Sequence, residues 1–145
     1  MIGLLQRVSE ACVRVEGATI ALIGRGLLVL VGVRPADTQE SALRLIRRIL
    51  QYRVFADNSG RMNLSLAQIG GDLLLVPQFT LAADTGTGLR PGFSSAASPE
   101  QARQLFEVLI TAAHAQHASV QSGLFGANMQ VSLTNDGPVT IWLES

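Results

Sequence analysis

Residue types that can do chemistry are few in this chain, whose 145 residues include one cysteine and two histidines. The sequence contains no G-x-S-x-G elbow, no P-loop and no G-x-G-x-x-G motif. His114 and His117 have no acidic or cysteine partner at metal-ligand spacing, and both fall near the end of a predicted helix, where an imidazole commonly interacts with the helix dipole. Cys12 lies in a predicted strand without a nearby base, which favours a buried structural thiol over a nucleophile. The sequence therefore predicts no metal site and no cofactor.

One short segment, PQFTL at 77–81, is the remaining candidate for a site. It is predicted to be a strand, in which period-two spacing places Gln78 and Thr80 on the same face. Pro77 cannot donate to the hydrogen-bond ladder and so indicates an edge or a bulge, where strands often present functional groups. The alternative is that Thr80 is only a good strand former. Spacing alone favours neither interpretation.

The C-terminal segment LTNDGPVTIWLES, at 133–145, has the pattern of a strand, an abrupt turn and a second strand. Asn135, Asp136 and Gly137 suit a turn. Pro138 is an unusual entry to a strand because it has no backbone N–H to donate. The residues alone give no function for this rigid, donor-free dipeptide.

Two segments carry helix-start signals followed by apolar residues at helical spacing. In the first, Asp37 is the predicted N-cap and Glu40 stands three residues later. In the second, Ser98 is the predicted N-cap and Pro99 takes the first helical position. The apolar stripes of the two helices are Ala42, Leu45, Ile46, Ile49 and Leu50, and Ala102, Leu105, Phe106, Leu109, Ile110 and Ala113. The other side of the first helix is interpreted as solvent-facing, with phosphate contact as a second interpretation, and carries Arg44, Arg47 and Arg48.

Strands are predicted around these helices by apolar runs and alternation, at 2–8, 11–15, 18–23, 27–33, 52–55, around Leu64, and at 72–82, 119–125, 129–134 and 139–143. The run LLVLVGV at 27–33 is apolar on both faces, so it should be central in the sheet. A Gly/Thr/Ser-rich stretch at 84–98 has little periodicity and is predicted to be a loop. Residues 1–145 are therefore predicted to form a single α+β domain, with a strongly curved, mostly antiparallel sheet or β-barrel and two packed helices.

The composition argues against a highly basic nucleic-acid-binding protein, a membrane-spanning protein and a secreted protein. Eleven basic residues, all of them arginine, balance eleven acidic ones, which argues against holding nucleic acid by bulk electrostatics but leaves open a shallow contact with one end of an RNA. The longest apolar run, 26–33, is far shorter than the ~20 residues that a membrane span needs. The N-terminal residues show no signal-peptide pattern. A single cysteine fits a reducing compartment, so a cytoplasmic protein without a membrane segment is predicted.

Two of these segments, QFTL at 78–81 and NDGPVT at 135–140, resemble the D-aminoacyl-tRNA deacylase family. The resemblance continues along the chain in short matches, which are QRV (6–8), GRGLLVLVGV (24–33), MNLS (62–65), QFTLAADT (78–85), RPGFSSAA (90–97) and FGANMQVSLTNDGPVT (125–140). Their order and spacing span essentially the whole chain, so chance matching does not explain them. The chain departs from the family pattern at Pro77, where the family usually has Ser, and any role of that hydroxyl cannot apply here.

The resemblance implies a hydrolase that cleaves the ester between a D-amino acid and the 3′ end of tRNA, a form of chiral proofreading. Proteins of this family are similar in being homodimers with an active site at the subunit interface. There the dipeptide Gly137-Pro138 is held with a cis peptide bond and projects into the partner's pocket. Its rigid backbone is expected to accept a hydrogen bond from the substrate's α-amino group and to clash with the side chain of an L-amino acid. Glycyl-tRNA, whose amino acid has no side chain, should also be hydrolysed.

The resemblance also implies catalytic roles for the segment at 78–80. Main-chain groups of Phe79 and Thr80, with the Thr80 hydroxyl, are expected to polarise the scissile carbonyl. Gln78 is expected to hold that strand in place, and the 2′-OH of the terminal ribose is expected to help activate water. An alternative has the Thr80 hydroxyl as a nucleophile that forms an acyl-enzyme.

Three further residues are expected near the substrate, together with Gly137 and Pro138. Phe93 either stacks on the 3′-terminal adenosine of the tRNA or belongs to the core. Arg7 either orders the Gly-Pro loop by hydrogen bonding its carbonyls or pairs with a surface carboxylate, and Met129 lies close to the site. The sequence leaves two competing functions open. One is a binding module that captures aminoacyl-RNA ends or another small ligand without turnover, and the other is a purely structural oligomer subunit.

Overall fold

The computed structural model describes residues 1–86 and 88–145, which contain eight strands, three α-helices and one 3₁₀ helix. The strands are β1 (Ile2–Val15), β2 (Ala18–Ile23), β3 (Gly26–Gly32), β4 (Arg53–Ala56), β5 (Met62–Ser65), β6 (Asp72–Pro77), β7 (Val120–Ser122) and β8 (Gln130–Glu144). The helices are α1 (Gln39–Gln51), α2 (Leu66–Ile69) and α3 (Pro99–Gln116), and the 3₁₀ helix is Phe79–Ala82. Thr87, within the predicted loop at 84–98, lies outside the described residues. None of the helices in the described ranges is long and apolar enough to cross a membrane.

Strand β1 organises the sheet because both of its edges are paired. On one edge of β1, residues 2–8 pair with β3 and residues 11–15 pair with β2. On the other edge, residues 2–14 pair with β8. All three pairings are antiparallel. Strands β3, β6 and β7 continue the sheet in parallel. The amide of Gln121 in β7 bonds the backbone N–H and carbonyl of Leu22 in β2, at 2.8 and 2.7 Å. The sheet thus curls until its ends nearly meet, and the predicted α+β fold with a barrel-like sheet is confirmed.

Two apolar clusters fill the fold, one on each face of the sheet. The larger cluster lies between the sheet and helices α1 and α3, and it contains the predicted stripes of both helices, with only Ile110 half-buried. The smaller cluster lies inside the curve of the sheet and is built from Val8, Ala11, Val13, Ala21, Ile23, Leu28, Leu74 and Val76. Strand β3 contributes to both clusters, so its predicted central position is confirmed.

Strand β8 is one continuous strand, and the predicted turn at its centre is wrong. The two predicted strands at 129–134 and 139–143 run in the same direction along β1. Between the pairs Val8–Asn135 and Gln6–Thr140, four residues of β8 stand opposite the single residue Arg7 of β1. A bulge of this kind bends a strand outward without reversing it. We call residues 136–139 the β8 bulge. The predicted strands at 2–8 and 11–15 are likewise one strand, β1.

Strand β6 ends earlier than predicted. The last ladder bond is from the Gln78 N–H to the Val31 carbonyl at 2.7 Å, after which Gln78 (φ −144°, ψ 82°) turns the chain into the 3₁₀ helix. That helix begins with a bond from the Leu81 N–H to the Gln78 carbonyl at 3.3 Å. The prediction that Gln78 and Thr80 share a strand face is therefore wrong, because the period-two backbone stops at Pro77.

Helix α1 begins one residue later than predicted, with Thr38 as its N-cap. The Thr38 hydroxyl accepts the N–H of Ser41, and the Ser41 hydroxyl accepts the N–H of Thr38 at 3.2 Å. The carboxylate of Asp37 is used elsewhere, since it binds the N-terminal ammonium of Met1 and the N–H of Arg34. The predicted cap of α3 is correct, with Ser98 accepting an N–H in the first turn.

Candidate active site

A cavity of about 480 Å³ opens where β6 ends and the 3₁₀ helix begins. Its walls come from residues 76–79, the start of α3, the loop at 125–129 and Val131 of β8. Gln78, Phe79 and Met129 of the predicted site residues line it, as does Pro77. Small-molecule sites typically enclose roughly 300–1,000 Å³, so this cavity can hold a nucleoside or an amino acid.

The turn after β6 brings Gln78 and Thr80 together. The Gln78 side-chain amide donates to the Thr80 hydroxyl at 2.5 Å. Because the Thr80 oxygen accepts this bond, its own proton is left to be donated outward. Within the described part of the chain no other side chain bonds this hydroxyl, and an amide N–H cannot take a proton from it. This arrangement suits a positioned donor and supplies no base for a nucleophile.

Backbone N–H groups provide a second set of donors at the same place. Phe79 and Thr80 stand at the start of the 3₁₀ helix, where N–H groups have no partner inside the helix. The Gln78 side chain does not cap them, and none of the described residues accepts a hydrogen bond from either one. Two free N–H groups and a hydroxyl on consecutive residues can together polarise a carbonyl oxygen.

Two exposed phenylalanines pack against each other beside the cavity. Phe79 is 57% exposed and Phe93 is 42% exposed, and their ring centroids are 5.0 Å apart. Phe93 is therefore not a core residue. A third aromatic, Phe125, lines the cavity wall and lies 4.9 Å below the guanidinium of Arg103. Sequence reasoning did not single out Phe125, although the segment that resembles the family begins at this residue.

Arg7 holds the β8 bulge against β4. Its Nε donates to the Asp136 carbonyl at 2.9 Å and lies 3.3 Å from the Asp136 carboxylate. Its Nη1 donates to the Val54 carbonyl. The Arg7 side chain is only 13% exposed. Both sequence-based alternatives for Arg7 thus hold together, because it bonds a carbonyl of the bulge and pairs with the carboxylate of the same residue.

Gly137 and Pro138 form the exposed tip of the β8 bulge, and the peptide bond between them is cis. Gly137 has a φ of 136°, and a Cβ at this position would lie 2.9 Å from the backbone nitrogen of Val139, so only glycine fits. Within the described part of the chain, neither tip residue lines the cavity, and Arg7 does not line it either. One chain therefore carries two separate clusters of predicted site residues, one at the cavity and one at the bulge.

The other candidate reactive side chains, among them Cys12 and His117, lie outside the cavity and outside the β8 bulge. Cys12 is half-buried rather than buried, because it points to the outer side of β1, where its thiol is 4.0 Å from the Thr19 hydroxyl. His117 is the C-cap of α3, and its Nε2 lies 2.6 Å from the Gly71 carbonyl oxygen. Across residues 1–86 and 88–145 there is no group of three His, Cys, Asp or Glu side chains placed to hold a metal ion.

Known proteins match the chain over its full length. The family described as D-Tyr-tRNA(Tyr) deacylase matches residues 4–144. Two proteins named D-aminoacyl-tRNA deacylase are similar to it: that of Thioalkalivibrio sulfidiphilus (strain HL-EbGR7), 60% identical over 99% of this chain and 97% of its own, and that of Azotobacter vinelandii (strain DJ / ATCC BAA-1303), 59% identical over 100% of both. A solved structure named c-Myc DNA Unwinding Element Binding Protein superposes with a TM-score of 0.96 at 40% identity, covering 100% of this chain and 99% of that one. The chain belongs to the D-aminoacyl-tRNA deacylase family, and the resemblance read from its motifs is confirmed.

Proposed function

We propose that this protein hydrolyses the ester that links a D-amino acid to the 3′ end of a tRNA and rejects the L-aminoacyl ester. The observation that carries the proposal is the donor group after β6, where the free N–H groups of Phe79 and Thr80 accompany the Thr80 hydroxyl beside the cavity. An aminoacyl ester is already labile, so holding the ester and polarising its carbonyl are sufficient for catalysis. The reaction class is supported by relatives of 60% and 59% identity that carry the name D-aminoacyl-tRNA deacylase.

In the proposed reaction the protein orients the ester and does not attack it. The donors at Phe79 and Thr80 stabilise the negative charge that develops on the carbonyl oxygen. Water, activated by the 2′-OH of the terminal ribose, adds to the carbonyl carbon. The ester bond then breaks and leaves a free D-amino acid and the 3′-OH of the tRNA. The exposed ring of Phe93, packed on Phe79, offers a surface on which the terminal adenine stacks.

Chiral selection in this proposal comes from the β8 bulge of a second copy of the chain. Gly137 and Pro138 are exposed, and Arg7 fixes the bulge through a nearly buried side chain. A backbone carbonyl of the tip accepts a hydrogen bond from the substrate's α-amino group. An L side chain points to where a D-amino acid has only hydrogen, and it would meet this rigid backbone. Glycine escapes the clash, so glycyl-tRNA is a second substrate.

The part of the sheet face around Trp142, which the smaller cluster leaves uncovered, supports a homodimer. Leu30, Leu4 and Trp142 are direct neighbours across β3, β1 and β8, so their side chains lie on one face. The helices cover the opposite face, where Leu5 and Val29 are buried. Trp142 is 48% exposed. An exposed tryptophan beside aliphatic side chains is typical of the centre of a protein interface, and we propose that a second copy covers it.

The proposal is tested by measuring free amino acid released from D-tyrosyl-, L-tyrosyl- and glycyl-tRNA at matched enzyme excess. Release is expected from the D-tyrosyl and glycyl esters and not from the L-tyrosyl ester. Binding of D-tyrosyl-tRNA without release of tyrosine would instead identify a binding module. Glycyl-tRNA as inert as L-tyrosyl-tRNA would refute the steric basis of the selection. Pro138→Ala that alters stability alone would favour the structural subunit.

The role of Thr80 is tested with substitutions that separate its hydroxyl from its backbone. Thr80→Ala should lower kcat by about 10²- to 10³-fold, the usual effect of losing one donor to the developing oxyanion. Thr80→Ser keeps the hydroxyl and should retain most of the rate. Thr111→Ala, on the exposed side of α3, is the matched control and should behave as wild type. An acyl group trapped on Thr80 in the wild type would establish the nucleophile instead.

A further inference from the structure

Charge is distributed unevenly along this neutral chain. Residues 41–71 contain five arginines and one acidic residue, a sum of +4, and the rest of the chain contains six arginines and ten acidic residues, a sum of −4. The basic segment forms one layer of the structure, because β4 pairs with β5, and α2 contacts α1, β4 and β5. A local excess of this kind is hidden by the overall balance of eleven and eleven.

Four arginines of this layer form no ion pair with the described residues, so their charges are available to a partner. We call Arg47, Arg48, Arg53 and Arg61 the arginine face. All four are exposed, and none has a carboxylate within ion-pair distance in the described ranges. Their hydrogen bonds go to neutral groups. Arg47 donates to the carbonyl of Leu43 in its own helix at 3.2 Å, and Arg48 donates to the backbone carbonyl of Glu144.

The one acidic residue of the layer, Asp57, accepts hydrogen bonds from its own turn and forms no ion pair with any described arginine of the layer. Asp57 accepts the N–H and the hydroxyl of Ser59 at 2.8 and 2.6 Å, and the backbone N–H of Arg61 at 3.1 Å. Arg53, at the start of β4, is oriented by bonds to the backbone carbonyl and side chain of Asn63 in β5. The guanidinium groups of the arginine face therefore remain available, and Arg53 is held in place by neutral partners.

One arginine of the face, Arg53, lies next to the contact that holds the β8 bulge in place. Arg7 bonds the Asp136 carbonyl of the bulge with Nε and the Val54 carbonyl of β4 with Nη1. Val54 follows Arg53 directly in β4. When the bulge of one chain enters the cavity of its partner, we expect Arg53 of that same chain, beside the contact that holds the bulge, to approach the rim of that cavity.

We propose that the arginine face binds phosphates of the tRNA acceptor stem whose 3′ end occupies the partner's cavity. This inference rests on the proposed function, because it uses the donated bulge and the aminoacyl ester. Guanidinium groups match phosphate oxygens in charge and in planar, two-point hydrogen bonding. A local excess of arginine lets a protein of zero net charge bind RNA phosphates without attracting nucleic acid over its whole surface.

The test is a variant that removes three of these charges, Arg47→Gln with Arg53→Gln and Arg61→Gln. Each phosphate contact adds about 0.9 to the steepness of the fall of log K with log salt, so three lost contacts should flatten the slope by about 2.7. Between roughly 50 and 200 mM salt, the wild type should therefore lose about 40-fold more affinity for uncharged tRNA than the variant loses. The corresponding triple Arg→Lys variant keeps the charges and should keep the wild-type slope.

A matched control and a minimal substrate separate this contact from general effects. Arg14→Gln removes an exposed arginine of β1 outside the layer and should leave the slope unchanged. D-tyrosyl-adenosine has no acceptor stem, so the Gln variant should hydrolyse it at the wild-type rate while its kcat/KM on D-tyrosyl-tRNA falls. Equal losses on both substrates, or an equal change of slope in Arg14→Gln, would overturn the proposal.

Failure of the proposed function would look different from failure of the arginine face. A wild type that binds uncharged tRNA with an arginine-dependent slope but releases no amino acid would refute the hydrolysis and support the arginine face. A slope that the Gln substitutions leave unchanged would refute the arginine face, whatever the rate of hydrolysis.

Discussion

Replacing Arg7 by methionine should loosen the β8 bulge while leaving the rest of the sheet paired. Methionine keeps the apolar stem but removes the bonds to the Asp136 and Val54 carbonyls. The bond to Val54 is partly buried, and a hydrogen bond from a charged donor contributes about 1.5–3 kcal/mol there. The bond and ion pair to Asp136 are exposed and contribute about 0.2–1 kcal/mol. The free energy of unfolding should therefore fall by about 2–4 kcal/mol.

Urea unfolding and hydrolysis of paired D- and L-tyrosyl-tRNA together check this prediction. The matched control is Arg14→Met, seven residues further along β1. In the wild type the Nε of Arg14 is 3.4 Å from the Thr19 hydroxyl, and losing this exposed contact should change the free energy of unfolding by less than about 0.5 kcal/mol. A loosened tip should also reject L-tyrosyl-tRNA less strictly, so the ratio of D to L rates should fall in Arg7→Met alone. Wild-type stability together with a wild-type D to L ratio in Arg7→Met would refute the role given to Arg7.

Three further predictions concern the scaffold. Gly26→Ala would place a Cβ 1.9 Å from a β6 carbonyl oxygen and should lower the free energy of unfolding in urea by about 3 kcal/mol. In the control Gly24→Ala the nearest atom to the new Cβ is 3.5 Å away, so the free energy of unfolding should fall by less than about 0.5 kcal/mol. Equal urea midpoints for the two variants would contradict the close approach of β3 and β6. The hydrogen bond from Arg34, followed by that from Trp142, lowers the pKa of Glu144 below its ordinary value of 4.5. The contribution of Glu144 to stability is therefore present above the unfolded-state pKa and is lost as pH falls through the folded-state pKa. NMR titration should show a higher pKa for Glu144 in Arg34→Gln than in the wild type. An unchanged pKa would exclude the Arg34 hydrogen bond as the cause. Trp142→Asp should convert the proposed dimer to a monomer in light scattering and abolish hydrolysis, and a mass equal to that of the wild type would contradict the proposed interface.

The two long helices could be predicted because their signals are local. Ser98 and the apolar stripe behind it specify α3 without reference to any distant residue. The start of α1 is less local, because Asp37 and Thr38 are both good caps. The N-terminal ammonium of Met1 engages Asp37 and leaves the capping to Thr38. The short helix α2 was not predicted, although Ser65 and its capping box mark its start, because a single turn has no apolar periodicity.

The candidate site could be predicted from the sequence, but its geometry could not. Gln78 and Thr80 stand out as polar residues after an apolar run, and the family resemblance includes them. Their contact depends on the 3₁₀ turn, which no residue pattern distinguishes from a continued strand. Asn-Asp-Gly equally suits a hairpin and a bulge, and the choice between them is made by β1, more than a hundred residues away in the sequence. Phe125 was missed because a lone aromatic in a loop gives no periodic signal.

The way β8 is anchored has a consequence for how this protein can change. Residues 2–6 of β1 align the strand on one side of the bulge, and residues 8–14 align it independently on the other. Adding or deleting a residue within 136–139 would therefore alter only how far the tip extends, while both flanking ladders keep their partners. Reach and alignment are thus separate variables, so a redesigned tip could be fitted to a deeper or shallower recess without rebuilding the barrel that supports it.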